Sequence, residues 1–456
     1  CKHLYPTTTY RFNSGGDPAC IPDLTHEQLI EFYRTHYHPS NAIFMTFGDI
    51  PADELQERFQ NQVLYKFNAS EERISVPYEK RFLKPIAIQE NYALNDEKGI
   101  ENKTHIIMSW LLGSTTDLKE NLEAQLLSSV LLDNSASPLQ KALEVTDLGS
   151  SPSPLCGLDD SQLELCFVCG IEGSSPEHSD ALEGLVLNVL EDIAENGIPR
   201  AELEASLHQL ELSQREIGGD GYPYGLQLIL TALTNATHRG DPIALLDIET
   251  VLGQLQKNIK DPNYIKQLTS RLLLKNNHRV RLTIIPDNKL AKMNDTIEAK
   301  RLDTIKNNLD KEGKQALIDK SLELIKRQNK VDDESILPKV GLEDIPEKMA
   351  AMPIKAVHHG SPALNLYDPG TNGLIYQQVI VDLPKLTHEQ INLLPIYSKS
   401  LTELGIDGRG YLDTQRWQSQ VSGGISAHVS AKGLLNNTGS LSAHLTISTK
   451  GLAKNQ

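Results

Sequence analysis

Between residues 86 and 286 the hydrophobic period of the sequence switches repeatedly, and this limits the fold more than any other feature. An apolar run fills "HIIMSWLLG", helical spacing takes over in "LEAQLLSSVLL", and "LELCFVCGIEG" alternates like a strand. Helical spacing returns in "ALEGLVLNVLEDIAE", and "RVRLTIIPD" closes the stretch as a strand. A further helix opens at Pro199, a favoured first-turn residue, with Leu203, Leu207 and Leu210 on one face. Strands separated by helices within one unit predict an α+β or α/β layer rather than a pure bundle.

The flanks read differently. Residues 1–67 give loop, helix, strand and helix. Thr25 and Gln28 form a capping box, Leu29, Phe32 and Tyr33 follow at helical spacing, and Pro39 ends the helix after about His36. "NAIFMTFGD" then reads as a short buried strand. Residues 68–85, polar and holding Pro77 and Pro85, read as a linker to the α+β unit at 86–286. Residues 287–346 hold no aromatic side chain and balance 12 basic against 13 acidic residues. Two narrow apolar stripes there, Leu302, Ile305, Leu309 and Ile318, Leu322, Ile325, with Gly313 between them, predict a helical hairpin connector. Residues 347–456 begin a further α+β unit. "GLIYQQVIVDL" is strand-like, a second "LTHEQ" capping box starts at Thr387, and Gly423-Gly424 turns helix into strand.

Chemistry-bearing motifs are scarce. His36 and His38 flank Tyr37 beside Pro39, but none of the 14 histidines has another four residues away, the usual spacing of two zinc ligands on one helix. Histidines in a last helical turn are accounted for by the helix dipole. Cys166 and Cys169 make a C-x-x-C, yet strand alternation puts Cys169 with Leu163, Leu165, Phe167 and Ile171 on one face and Cys166 on the other. With no second pair, neither a zinc site nor a redox site is predicted. The chain lacks H-E-x-x-H, H-x-x-E-H, G-x-S-x-G and a phosphate-binding G-x-x-x-x-G-K-[ST]. "GIDGRGYLD" lacks the third glycine of a dinucleotide fingerprint, and "GGDGYPYG" at 218–225 reads as an interhelical turn. His105, His428 and His444 in strands, and His358-His359 in a polar link, read as structural. The net charge of −16 disfavours nucleic acid, which needs a basic surface. No apolar run approaches the ~20 residues that span a bilayer, so a soluble protein is expected. Cys1 opens in mid-pattern without a leading Met, so a leading part is expected to be missing.

The series "SGGDPACIPDLTHEQLIEFYRTHYHPSNAIFMTFGDIP", "SPLQKALEVTDLG", the charged hairpin and "TNGLIYQQVIVDLPKLTHEQINLLPIYSKSLTELG" resembles the presequence protease and falcilysin branch of the pitrilysin (insulinase-like) zinc metallopeptidases. That resemblance implies tandem insulinase-like (LuxS/metallohydrolase-type) α+β domains, four in two halves, joined by a helical hairpin around a peptide-sized chamber. It implies zinc held in the first domain by H-x-x-E-H and a later glutamate, the motif glutamate serving as general base. Cys1 then falls downstream of both elements. The chain would span the end of the first domain (1–67), the linker (68–85), the second domain (86–286), the hairpin (287–346) and the start of the third domain (347–456). No catalytic, metal-ligating or substrate-binding residue is carried over, His36 and His38 are not zinc ligands, and the chain alone is expected to bind no zinc and to be inactive. The resemblance implies short unfolded peptides as partners, neither nucleic acid nor membrane, a monomer, and a cytoplasmic or organellar (mitochondrial) matrix location. A non-catalytic peptide-binding or scaffold homologue of the same fold is the competing reading.

Overall fold

The structure is a computed structural model that describes residues 1–94, 99–218, 223–337, 339–348, 353–358, 363–434 and 437–455. The chain divides into two compact units. Cys1–Tyr92, Lys98–Pro286 and Asn372–Gln456 form the larger; Asp287–Thr371 with Ala93–Glu97 form the smaller.

The larger unit opens with a loop and two helices, α1 (His26–His36) and α2 (Ala52–Gln62). The capping box at α1 is complete: Thr25 Oγ1 accepts from the Gln28 N–H, and the Gln28 side chain accepts from the Thr25 N–H. The buried strand expected at "NAIFMTFGD" is not formed. Residues 42–47 belong to no strand, and Phe44 and Phe47 are exposed. A strand needs a ladder partner, and the described residues supply none for this one.

The sheet of this unit is built from β1 (Ile86–Ala93), β2 (Thr104–Ser114), β3 (Ser151–Pro152), β4 (Gly157–Asp159), β5 (Glu164–Ser174) and β6 (Arg279–Asp287), in the order β1-β6-β2-β5-β3, with β4 also on β5. β2 pairs antiparallel with both long neighbours, Ile107 lying opposite Gly170 on β5 and Leu282 on β6. Gly170 is required by close approach: a Cβ there would lie 2.3 Å from the Ile106 carbonyl oxygen.

One face of the sheet carries Ile106, Met108, Trp110, Leu165, Phe167, Cys169 and Ile171, all essentially inaccessible. Seven helices accompany it: α3 (Leu118–Leu132), α4 (Pro138–Val145), α5 (Ser179–Asn196), α6 (Arg200–Arg215), α7 (Tyr224–Thr237), α8 (Glu249–Asn258) and α9 (Tyr264–Thr269). Apolar stripes put α5 into this core through Leu182, Val186, Leu190 and Ile193, and α6 through the expected Leu203, Leu207 and Leu210. After α9 the chain makes a π-helical turn, Ser270–Leu274. Two of its carbonyls are caught by side chains: Trp110 Nε1 donates to Leu273 at 3.0 Å, and Asn276 Nδ2 to Leu272 at 3.0 Å. The opposite face carries Leu111, Cys166 and Val280, and the first residues of the chain, Leu4 and Tyr5, bury it. This sheet is therefore covered on both faces.

In the smaller unit, α10 (Leu290–Asn308) and α11 (Lys311–Gln328) are separated by two residues, and Asp310 caps α11 by accepting from the Gly313 N–H at 2.7 Å. The break thus falls at Leu309-Asp310, and Gly313 lies within the first turn of α11. No residue of either helix is buried, Lys300 and Lys314 included. A two-stranded ribbon, β7 (Lys355–His358) with β8 (Ala363–Leu366), follows.

The larger unit ends with β9 (Leu374–Asp382), α12 (His388–Glu403), α13 (Tyr411–Val421), β10 (Ile425–Leu434) and β11 (Asn437–Leu452). Their sheet is antiparallel in the order β10-β11-β9. Thr387 and Gln390 repeat the capping box, and Gly424, at φ 104°, turns α13 into β10 as expected.

Candidate functional site

The histidines that drew attention in the sequence are bound to their own backbone. His36 Nδ1 lies 3.0 Å from the Phe32 carbonyl, its ring stacked on Phe32. His38 Nδ1 accepts from the Ser40 N–H at 3.1 Å. Cys166 and Cys169 are buried on opposite faces of β5, as the alternation predicts. Burial pushes Cys166 up to about 12 and raises Cys169 as well, so both remain thiols near neutrality. His444 sits between Asp382 Oδ1 (2.8 Å) and Ser442 Oγ (2.7 Å), while His105 packs edge-on to Tyr92. In "GGDGYPYG", residues 219–222 lie outside the described residues, as does His359. Among the described residues no three His, Cys, Asp or Glu side chains are grouped to hold a metal ion, so zinc has no fitting donor set here.

The polar cluster with the most connections was not legible as a site. It lies where residues 1–10 and 77–82 cross the back of the sheet. Glu164, at the start of β5, accepts from the Glu79 backbone N–H (2.7 Å) and from Arg81 (2.7 Å). Arg81 also donates to the Leu111 and Leu112 carbonyls at the end of β2. The Glu79 carboxylate accepts from the Thr7 N–H at 2.9 Å, the Thr7 hydroxyl at 2.5 Å and the Lys80 N–H at 2.8 Å. Tyr5 donates its hydroxyl to the Glu164 carbonyl at 2.8 Å, and Tyr10 Oη accepts from the Leu163 N–H. His278, just before β6 and 1% exposed, ties both segments. Its Nδ1 accepts from the Phe82 N–H at 3.2 Å, its Nε2 lies 2.8 Å from the Leu4 carbonyl, and its ring stacks on Phe82. A backbone N–H can only donate and a carbonyl only accept, so this imidazole is neutral with its proton on Nε2.

Electrostatics agree with that state. Burial, helped by the neighbouring Arg81, holds His278 below the ordinary histidine range. Burial raises Glu164. Burial also pushes Glu79 upward, but hydrogen bonds from Thr7 and Lys80 outweigh it and leave that carboxyl below its ordinary value. Charged side chains in a stretch that reads as a polar linker look solvated in the sequence; Glu79 is nonetheless buried and Arg81 is tied to Glu164, through segments about 70 to 85 residues away.

Two other places carry defined geometry. On α6, buried Glu211 accepts from Lys454 through both oxygens (2.8 and 2.7 Å), from Arg215 (2.9 Å) and from Gln256 (3.1 Å). With Gln209 donating to the Ser419 and Ser422 carbonyls, this docks the last sheet onto α6 around Leu212, Leu374 and Leu452. The second is a cleft of about 650 Å³ between residues 43–47 and α7, lined by Phe44, Phe47, Gly225, Leu228 and Ile229 with Arg239 at its edge. Its walls are mainly apolar, with Thr46 and Arg239 the polar side chains among the lining residues and no acid–base pair between them.

With this geometry, comparison with known proteins decides the family. Residues 23–210 match the family model described as the Peptidase M16 inactive domain, and residues 284–456 match the model for the region associated with subfamily C of the same peptidases. The chain belongs to the M16 peptidase family. It is 30% identical over 429 residues to "Presequence protease, mitochondrial" of Xenopus tropicalis, covering 93% of this chain and 41% of that protein. It is also 30% identical over 433 residues to "Presequence protease 1, chloroplastic/mitochondrial" of Arabidopsis thaliana, covering 93% and 40%. The M16 chain thus spans about two fifths of the length of these relatives. A crystal structure of a protease from Helicobacter pylori overlaps 62% of this chain and 64% of its own at 16% identity and a TM-score of 0.47, too loose a superposition to add to the sequence match.

Proposed function

We propose that this M16 chain is the central portion of a zinc metalloendopeptidase that degrades short unfolded peptides, of the targeting-peptide type, inside a closed chamber. The observation that carries the reading is the likeness to presequence proteases along 93% of the chain. In this scheme residues 1–67 complete the catalytic domain, 68–85 link it to the second domain at 86–286, 287–346 form the connector, and 347–456 begin the third domain. Zinc would be held by residues of the parent outside this chain, since no donor set among the described residues fits it. The chain's own part is to frame the chamber and fix residues 1–67 against the second domain. An organellar matrix suits the proposed substrates.

The test uses the isolated 456-residue chain and its full-length parent. The isolated chain should hold no stoichiometric zinc by elemental analysis and leave a fluorogenic unfolded peptide intact. The parent should hold one zinc and cleave that peptide. One tightly bound zinc on the isolated chain would overturn the assignment. A parent without H-x-x-E-H that binds peptide uncleaved would establish the scaffold reading instead.

A further inference from the structure

We propose that His278 is an acid-sensitive clasp: while neutral it fastens residues 1–10 and 77–82 to the back of the sheet, and protonation releases them. The argument starts from hydrogen-bond valence. The imidazole lies outside both segments and bonds to each, accepting from the Phe82 N–H with Nδ1 and donating to the Leu4 carbonyl with Nε2. A second proton must occupy Nδ1. It faces the Phe82 N–H, so an accepted bond becomes two opposed donors. Removing one partner from a buried hydrogen bond costs the remaining group its solvation as well as the bond.

The charged and titratable groups around the ring do not rescue the cation. From 77–82 come Arg81, whose positive charge opposes a second one, and Glu79, whose carboxylate favours it but is already committed to Thr7 and Lys80. From β5 comes Glu164, paired with Arg81. The first segment offers Tyr5, whose hydroxyl donates to the Glu164 carbonyl, and Tyr10, whose Oη accepts from the Leu163 N–H; neither bonds to the ring. With no free acceptor at Nδ1, the cation is accommodated by letting the two segments go. They bracket residues 11–76, so release frees both ends of that stretch from the sheet. This clasp is independent of the proposed peptidase reading, because its effect is read in structure and not in cleavage.

The proton balance gives the sign. The native state holds the neutral ring, so unfolded or released chains bind more protons as pH falls below the ordinary histidine value, and the clasp weakens from there downward. Hydrogen exchange by mass spectrometry, with rates corrected for intrinsic pH dependence, should follow the peptides covering residues 1–10 and 77–85. In the native sequence their protection should fall roughly tenfold or more between about pH 7.5 and about pH 5. In His278→Gln, whose amide can accept from Phe82 and donate to Leu4 without titrating, protection should stay flat over the same range. An equal fall in the variant would assign the effect to another group, the depressed Glu79 carboxylate first, and overturn the proposal, as would a flat native profile. Should the variant fail to fold, imidazole NMR of the native chain decides the matter. The expected result is an Nε2–H tautomer that titrates below the ordinary histidine range together with the Phe82 amide. A ring that titrates at its ordinary value with no response at Phe82 would contradict it.

Discussion

The two sheets of the larger unit draw on similar strand sequences and end in opposite states. β5 is buried along almost its whole length, whereas in β9 Val379, Ile380 and Val381 are about half exposed or more. The six-stranded sheet has helices on one face and residues 1–10 on the other, both supplied by described residues. The three-stranded sheet leaves β9 side chains open on both faces, Val379 and Val381 on one and Ile380 on the other. Strand propensity thus specifies an element, while burial depends on which covering layers the chain brings.

The largest contrast should come from deleting one side chain in each sheet. Trp110→Ala removes a fully buried ring and the donor to Leu273, and should cost about 3–5 kcal/mol. Ile380→Ala, on one open face, should stay within about 0.5 kcal/mol. Chemical denaturation followed by near-ultraviolet circular dichroism for the first, and by exchange of β9 amides for the second, would measure both.

A smaller contrast lies in the glycines. Gly170→Ala puts a methyl against the Ile106 carbonyl and should destabilise by about 1–3 kcal/mol, whereas Gly433→Ala in β10 meets nothing within 4 Å and should be neutral or mildly stabilising. Equal effects on the melting temperature would mean that the ladders are equally loose.

Glu211→Ala tests how the second sheet is held. It leaves Lys454 and Arg215 without their shared carboxylate and should cost about 1–2 kcal/mol, discounted because Lys454 is half exposed. The exposed Glu54–Arg58 pair on α2 should contribute about 0–0.5 kcal/mol. Lysine and arginine hold Glu211 below its ordinary value against burial. Its contribution is therefore present above the unfolded carboxylate value and disappears as pH falls through the lower, native one. Exchange of the β11 amides should rise with acid over that interval. Glu164, raised by burial, has the opposite sign and should partly offset loss at the other sheet.

How far the fold could be read in advance follows from the same contrast. The stripe Leu203, Leu207, Leu210 and the split of Cys166 from Cys169 were legible because each depends on period alone. The capping boxes at Thr25 and Thr387 were legible because their hydrogen bonds close within four residues. The 42–47 strand was misread as buried, since an apolar run carries no information about its ladder partner. The Glu79, Arg81, Glu164 and His278 cluster was invisible: its members are up to 199 residues apart, and in a polar stretch a charge destined for burial looks like any other. The hint in the sequence was Glu164 opening the apolar run Leu165–Ile171.

The smallest effect should follow His36→Ala. Its ring is half-buried at the surface and stacked on exposed Phe32, so stability should move by no more than about 0.5 kcal/mol, with zinc content of the chain unchanged by elemental analysis.

Native-state hydrogen exchange on the 456-residue chain tests the central claim most directly, because it reports both sheets in one sample. Amides of β2, β5 and β6 should exchange only through global opening of the doubly covered sheet. Those of β9 and β10 should exchange by local opening at least ~100-fold faster. Equal protection across the two sheets would contradict the account, because the open faces of the second sheet would then cost it nothing.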